Sequence, residues 1–145
     1  MEERTWEEEI EEIDAEVAKM GGGAVYNALP AGFMEKSKFQ ERCDAFLNAM
    51  KRYEGELVKI EEERCIIRRK MECAVRGERE GLEKYLRSLD VQEENCVYQE
   101  CQVKTGFLDF LERNRPMDAV AFLREKHALL DRKIGLLVKV RLRPV

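Results

Sequence analysis

The sequence predicts a mostly α-helical protein in which long antiparallel coiled-coil helices are joined by a short β-hairpin, with an extra N-terminal helix. Three observations lead to this fold class. Charged residues make up 39% of the chain and aromatic residues 8%, a mixture more typical of long helices than of a compact enzyme. Apolar residues recur at heptad spacing over most of the chain. One segment, at about 96–112, instead follows the two-residue period of a strand.

The first predicted element is a helix over residues 5–20. Thr5 followed by Glu8 matches a capping box, and Gly21 is suited to ending the helix. Its apolar residues step by four and three, as in a coiled-coil seam: Trp6, Ile10, Ile13, Val17 and Met20. We therefore divide the chain into residues 1–36, an N-terminal helix with a Gly/Pro linker, and 37–145, a coiled-coil domain.

The linker contains an apolar, proline-stiffened phrase, "NALPAGFMEKSKF", at residues 27–39. We expect Leu29, Pro30 and Phe33 to form a fixed, partly buried lead-in to the next helix. The alternative is a hydrophobic staple that stops the chain before that helix without any wider contact.

The second predicted helix runs from about Ser37 to Leu89. Its heptad repeat is strict up to Ala74 and predicts a left-handed coiled coil. Gly77 and Gly81 predict a weak point after that repeat. The seam residues are Phe39, Cys43, Phe46, Met50, Tyr53, Leu57, Ile60, Arg64, Ile67, Met71 and Ala74.

The period changes at "NCVYQECQV", residues 95–103, where alternate residues would face opposite sides of a strand. "KTG" then offers a tight turn, and "FLDFLE" a second arm. A lone hairpin is unstable in water, so we expect this one to join a sheet shared with other chains. The expected subunit interface comprises Val97, Tyr98, Val103, Phe107, Leu108 and Phe110.

A last helix is predicted at roughly 117–142, with Pro116 at its first turn. His127 falls on its seam as a buried or register-setting polar residue. Paired antiparallel with the long helix, it would leave residues 39 to about 62 uncovered, and helix 5–20 could cover part of that gap. The seam residues are Val120, Leu123, His127, Leu130, Ile134 and Leu137.

The residues that carry chemistry form no recognisable catalytic or metal-binding pattern. The five cysteines include no C-x-x-C pair and the chain has one histidine, so we expect buried thiols and neither metal nor cofactor. We expect no enzyme activity. A net charge of −4 with interspersed signs makes nucleic acid an improbable partner. We interpret the basic "KVRLRPV" as a helix terminus where cations suit the dipole, with a nucleic-acid or acidic partner as the alternative. No apolar run reaches membrane-spanning length, and we expect a cytoplasmic protein.

Three stretches, in order, resemble the prefoldin family, closest to its α-class subunits in a shortened form. They are "ALPAGFMEKSKF", similar to the entry before the family's first long helix, "VYQECQV", similar to its first body strand, and "FLERNRPMDAVAFLREKHALLDRKI", similar to the start of its second helix. The α-class body carries two hairpins, whereas residues 90–116 have room for one.

The resemblance implies a co-chaperone that uses no cofactor. Prefoldin-like subunits form a hetero-hexamer in which hairpins build a β-barrel body, and coiled-coil tips hold unfolded actin or tubulin clients for the cytosolic chaperonin. The helix ends farthest from the predicted hairpin are therefore the expected client-binding surface, namely Phe46, Met50, Leu137 and Val140.

The alternative function is a structural coiled-coil adaptor subunit of a multiprotein assembly, of the kinetochore, nuclear-pore or spindle type. Such a protein would share the heptads and the acidic charge. Residues 96–112 discriminate between the two: strands favour the co-chaperone, and a continuous helix favours the adaptor.

Overall fold

The structure, a computed structural model, describes residues 4–144 and is mostly helical, as predicted. The extra N-terminal helix is present and begins with the predicted capping box between Thr5 and Glu8. The elements in chain order are α1 (Trp6–Met20), β1 (Phe33–Glu35), α2 (Lys36–Glu72), α3 (Arg76–Arg113), β2 (Arg115–Met117) and α4 (Ala119–Arg141).

The chain forms two compact units. The first, here the α1–α4 unit, contains the residues up to Phe39 together with those from Arg113 onward; the second, here the helical hairpin, is Gln40–Glu112. The contacts thus group α1 with α4, whereas the sequence suggested a division after residue 36.

In the α1–α4 unit, the two helices share an apolar core. Ile13 and Val17 of α1 meet Leu130 and Leu136 of α4, with Tyr26 packed against them. The short strands β1 and β2 pair in parallel, with Phe33 opposite Arg115. The heptad spacing of α1 therefore serves to dock it on α4.

In the helical hairpin, α2 and α3 run antiparallel and are joined by residues 73–75. The core contains Ile60, Leu89 and Cys96, against which Tyr53, Leu57 and Leu86 pack. The chain reverses where the second helix was expected to continue. The predicted weak point at Gly77 and Gly81 lies just beyond this break, in the first turns of α3.

The predicted β-hairpin at 96–112 is wrong, because all of these residues lie within α3. A heptad repeat runs through them with steps of four and three, and its members are buried or half-buried while most of their neighbours are exposed. Carboxylates at two of its positions obscured the repeat and left the alternation of "NCVYQECQV" as the stronger pattern. The seam residues are Leu82, Leu86, Leu89, Glu93, Cys96, Glu100, Val103, Phe107 and Phe110.

The predicted seam is confirmed along α2 from Phe39 to Met71, because each of these members is buried or half-buried, while Ala74 lies in the joint after the helix. The prediction that the last helix pairs with α2 is wrong, because α3 packs against α2 instead. Phe46 stacks on Phe107 with ring centroids 5.0 Å apart, and Tyr53, Leu57 and Ile60 pack in the core with α3, so these seam residues of the stretch expected to be uncovered are covered within the helical hairpin.

Candidate partner-binding faces

The linker between α1 and β1 folds back on itself through glycines. Gly21, Gly22 and Gly23 all have positive φ, a conformation that L side chains rarely adopt. A Cβ on Gly22 would lie 2.7 Å from the carbonyl oxygen of Ala28, closer than real atoms approach. Glycine at position 22 therefore permits the reversal that returns residues 26–30 to α4.

The returning linker is held by three polar residues of α4. The Lys126 ammonium, fully buried, donates to the Ala28 carbonyl oxygen at 3.0 Å. His127 Nε2 lies 2.9 Å from the Tyr26 carbonyl oxygen, and the Tyr26 hydroxyl donates to Asp131 at 2.9 Å. Burial and this carboxylate raise the pKa of Tyr26. The linker is thus anchored to α4 at Tyr26 and Ala28, whereas of the expected lead-in residues Leu29 and Pro30 are half-buried and Phe33 is exposed.

Two of these polar residues bear on the sequence predictions. His127 is half-buried, as expected, but it contacts the linker backbone rather than setting the register between helices. Lys126 was missed, because lysine is almost never fully buried unless it is paired. Its spacing from Leu130 and Leu123 would have indicated the inward face of α4.

The beginning of α4 is capped from two directions. The Ala121 amide donates to the Asp118 carboxylate at 3.1 Å, and the Ala119 amide donates to Glu35 Oε2 at 2.9 Å. Glu35 is presented by β1. Both carboxylates satisfy amides that a helix leaves unpaired at its first turn. The strand pair thus fixes the position at which α4 starts.

The rim of the α1–α4 contact joins an acidic helix to a basic one. Asp14 pairs with Lys133, Glu9 with Arg132 at 3.6 Å, and Glu7 with Arg143 at 2.9 Å. The hydrogen bond from Arg143 lowers the pKa of Glu7. The Arg143 guanidinium also lies 5.0 Å from the centre of the Trp6 ring. α4 therefore recognises an acidic amphipathic helix by burying apolar residues and pairing charges around them.

The side of α4 that carries Asp131 is covered in the first half of the helix and exposed in the second. Tyr26 covers it as far as Asp131. One turn later this side becomes apolar and solvent-exposed, around an open groove of about 370 Å³. We call this surface the α4 end face; it consists of Ile134, Leu137, Val138, Arg141 and Leu142.

The seam of the helical hairpin contains an ionic cluster centred on Arg64. The mostly buried Arg64 side chain pairs with Glu93 and with Asp90, 3.1 Å away, on α3, and with Glu61 on its own helix. Glu93, and after it Glu61, raises the pKa of Arg64. A charge buried at a seam position disfavours registers that would leave it unpaired, so Arg64 selects the alignment of α2 with α3.

A groove of about 420 Å³ lies beside Cys96 between α2 and α3. The Cys96 thiol is 3.5 Å from the Tyr53 carbonyl oxygen and 3.8 Å from the Glu56 carboxylate. Burial, then Glu56, raises the pKa of this thiol, which makes it a poor nucleophile. Within residues 4–144 no cluster of three metal-ligating side chains occurs.

The predicted subunit-interface residues divide into two groups. Val103, Phe107 and Phe110 lie in the seam of the helical hairpin, where Phe110 is 5.7 Å from Phe46 between ring centroids. Val97, Tyr98 and Leu108 point outward, and the last two are 61% and 62% exposed. The structure therefore does not bring the six residues to one surface.

Further large apolar side chains are exposed on the helical hairpin, among them Val91 on α3. Val91 and Tyr98 are seven residues apart, so they stand above one another two turns along the helix. On α2, Val58 and Ile66 are also exposed, beside an open groove of about 510 Å³. Each helix of the hairpin thus exposes large apolar side chains besides its seam.

The predicted client-binding residues are likewise not brought together. Phe46 and Met50 are half-buried in the helical hairpin, and Phe46 has aromatic partners on α3. Leu137 lies in the α4 end face, and Val140 is half-buried in α4. The premise that Phe46 has few partners is wrong, while the client role of these residues stays a prediction.

Comparisons with known proteins give no relative for this chain. No protein-family model, curated protein or solved structure matches it. Among the described residues, none of the helices is long and apolar enough to cross a membrane.

Proposed function

We propose that this protein is a helical adaptor, a structural subunit that binds partner proteins through apolar faces of its helices. One observation carries the proposal: the helices bury their seams within the chain and still expose a second set of large apolar side chains. Tyr98 and Leu108 on α3 and Ile134 and Val138 on α4 belong to this set. Contiguous exposed apolar surface rimmed by polar residues is typical of protein-binding sites.

The adaptor is favoured over the co-chaperone by the state of residues 96–112. A prefoldin-like body is assembled from strands, and here these residues are helical. Val103, Phe107 and Phe110 are occupied in the seam with α2 and are not available to a barrel. Holding of actin or tubulin clients, delivery to the chaperonin and cytoplasmic localisation stay predictions of the resemblance.

The adaptor acts by binding rather than by catalysis. Burial, then Glu56, raises the pKa of the Cys96 thiol beside the groove, which disfavours its nucleophilic thiolate form. The ionic cluster at Arg64 has a structural explanation in the register of α2 and α3. These features support a binding protein in which the ionisable groups of the hairpin serve to align its helices.

Affinity purification of the tagged full-length chain from its native cells, with quantitative mass spectrometry, tests this function. We expect a partner in stoichiometric amount that is lost with Tyr98→Asp/Leu108→Asp. The matched control is Gln99→Asp/Gln102→Asp, which alters exposed polar residues of the same helix. Recovery of actin and chaperonin subunits would favour the co-chaperone, and recovery of no stoichiometric partner would contradict the adaptor.

A further inference from the structure

We propose that the α4 end face binds an acidic amphipathic helix of a partner protein. This inference rests on the adaptor function and names the chemistry of one of its partners. The observation behind it is that one side of α4 is covered only in part. Tyr26 covers this side as far as Asp131, and the same side is exposed to solvent from Ile134 onward.

The end face has the composition of a helix-binding surface. Val138 is 51% exposed and Leu142 77%, and Ile134 stands one turn before Val138. Residues spaced by three and four lie on one side of a helix, and such a stripe packs against the apolar stripe of another helix. A partner helix placed there would remove these side chains from water, each burial contributing favourably.

The charge around the end face selects an acidic partner. Arg141 lines the groove and the exposed Lys139 precedes Leu142 by three residues, and within residues 4–144 neither cation has an ion pair. By contrast Arg132, Lys133 and Arg143, on the side toward α1, all pair with carboxylates. Glutamate or aspartate on an incoming helix would supply the missing partners, and complementary charge governs the choice of partner and the rate of encounter.

The chain contains its own example of the proposed complex. α1 has Lys19 as its one basic residue and carries acidic residues through most of its length. It docks on α4 through Ile13 and Val17, with Asp14 and Glu9 reaching basic side chains at the rim. The end face offers the same combination of aliphatic centre and basic rim, on another side of α4.

A second copy of this chain fits the end face less well. Two end faces brought together would set Lys139 and Arg141 of one copy against the same cations of the other, which is unfavourable. The acidic α1 of each copy is already bound to its own α4. Charge therefore favours a separate acidic helix over self-association.

The test uses a fluorescein-labelled, hydrocarbon-stapled peptide with the sequence of residues 4–20, titrated with the full-length protein and followed by fluorescence anisotropy. We expect saturable binding that weakens by about tenfold or more in Ile134→Asp/Val138→Asp and in Lys139→Glu/Arg141→Glu. Val120→Asp, an exposed valine on the same helix, is the matched control and should leave the affinity unchanged. A peptide with its acidic residues changed to lysine should not bind.

Each outcome decides the inference separately from the adaptor function. Absence of peptide binding overturns the inference. Binding that neither double variant weakens also overturns it, because the peptide would then occupy the site of α1 on α4. Self-association in light scattering that Ile134→Asp/Val138→Asp abolishes also overturns it, in favour of a second copy. Circular dichroism shows whether the variants fold. If Ile134→Asp/Val138→Asp does not fold, the charge reversal at the exposed positions 139 and 141 still provides the test. The adaptor function is tested independently of this peptide, by the loss of the co-purified partner in Tyr98→Asp/Leu108→Asp.

Discussion

The α1–α4 unit and the helical hairpin solve the pairing of two helices in different ways. The hairpin puts charge inside the seam, where Arg64 meets Glu93 between apolar layers. The α1–α4 unit keeps its centre apolar around Ile13 and Leu130 and places its ion pairs at the rim. The comparison shows that a heptad repeat can remain structurally intact while its polar members conceal it in the sequence.

The two units also differ in what fixes their alignment. In the hairpin, a buried guanidinium sets the register of two long helices. In the α1–α4 unit, the linker does this: Gly22 allows the reversal and Lys126 binds the linker backbone. Substitutions should therefore act through packing in the hairpin and through backbone geometry in the α1–α4 unit.

The largest effect is expected for Leu89→Ala in the hairpin. Leu89 is fully buried, and such a truncation removes apolar contacts and leaves a cavity, at a cost of about 3 kcal/mol in the free energy of unfolding. Urea denaturation followed by circular dichroism measures it. Leu108→Ala, at an exposed site on the same helix, should cost under about 0.5 kcal/mol. Equal losses in the two variants would contradict the packing of α2 on α3.

The next effect is expected for Gly22→Ala in the linker. The new Cβ would meet the Ala28 carbonyl oxygen, and the positive φ adds strain, so we expect a loss of about 2 kcal/mol or more. Gly23→Ala is the control, since its φ is also positive but its Cβ would enter open space. It should cost about 1 kcal/mol, the strain alone. A smaller loss at Gly22 than at Gly23 would show that the linker does not return to α4.

A smaller effect of opposite sign is expected for Gly55→Ala. Gly55 is exposed within α2, and a Cβ there would meet nothing within 4 Å. Alanine should therefore raise the free energy of unfolding by up to about 1 kcal/mol through helix propensity alone. A thermal melt compares the variant with the parent protein. Destabilisation would mean that this part of α2 is not a regular exposed helix.

The smallest effect concerns the pH dependence of Cys96. Because its pKa is raised in the fold, the thiol stays protonated at a pH where the unfolded chain would lose the proton. Its contribution to stability is present below the unfolded thiol's pKa and declines as the pH rises toward the folded value. Iodoacetamide with peptide mapping at pH 8 should label Cys96 more slowly than the exposed Cys101. Equal labelling rates would contradict the buried position.

Sequence reasoning recovered the parts of this fold in which one signal dominates. α1 was found from its cap and apolar spacing, and the seam of α2 from its unbroken heptads. The seam of α3 was missed because Glu93 and Glu100 stand where apolar residues are expected, and the partner that explains Glu93 is Arg64 on another helix. Such pairing is visible only once the two helices are aligned.

The candidate binding faces were predictable only in part. Tyr98 and Leu108 were named as interface residues, but on the assumption of strands. Leu137, which lies in the α4 end face, was named from the sequence as a binding residue. The extent of that face depends on where Tyr26 stops covering α4. That boundary is set by the fold of the linker, which glycine conformations at positions 21–23 determine and heptad patterns do not register.

The most direct test is the backbone conformation of residues 96–112, on which the choice between adaptor and co-chaperone depends. Backbone ¹³Cα chemical shifts of the isotope-labelled full-length protein report it residue by residue. We expect helical, positive deviations from random-coil values throughout, together with nuclear Overhauser contacts between the rings of Phe46 and Phe107, 5.0 Å apart. Negative deviations on both sides of Gly106, typical of two strands, would contradict the helical hairpin and restore the prefoldin-like prediction.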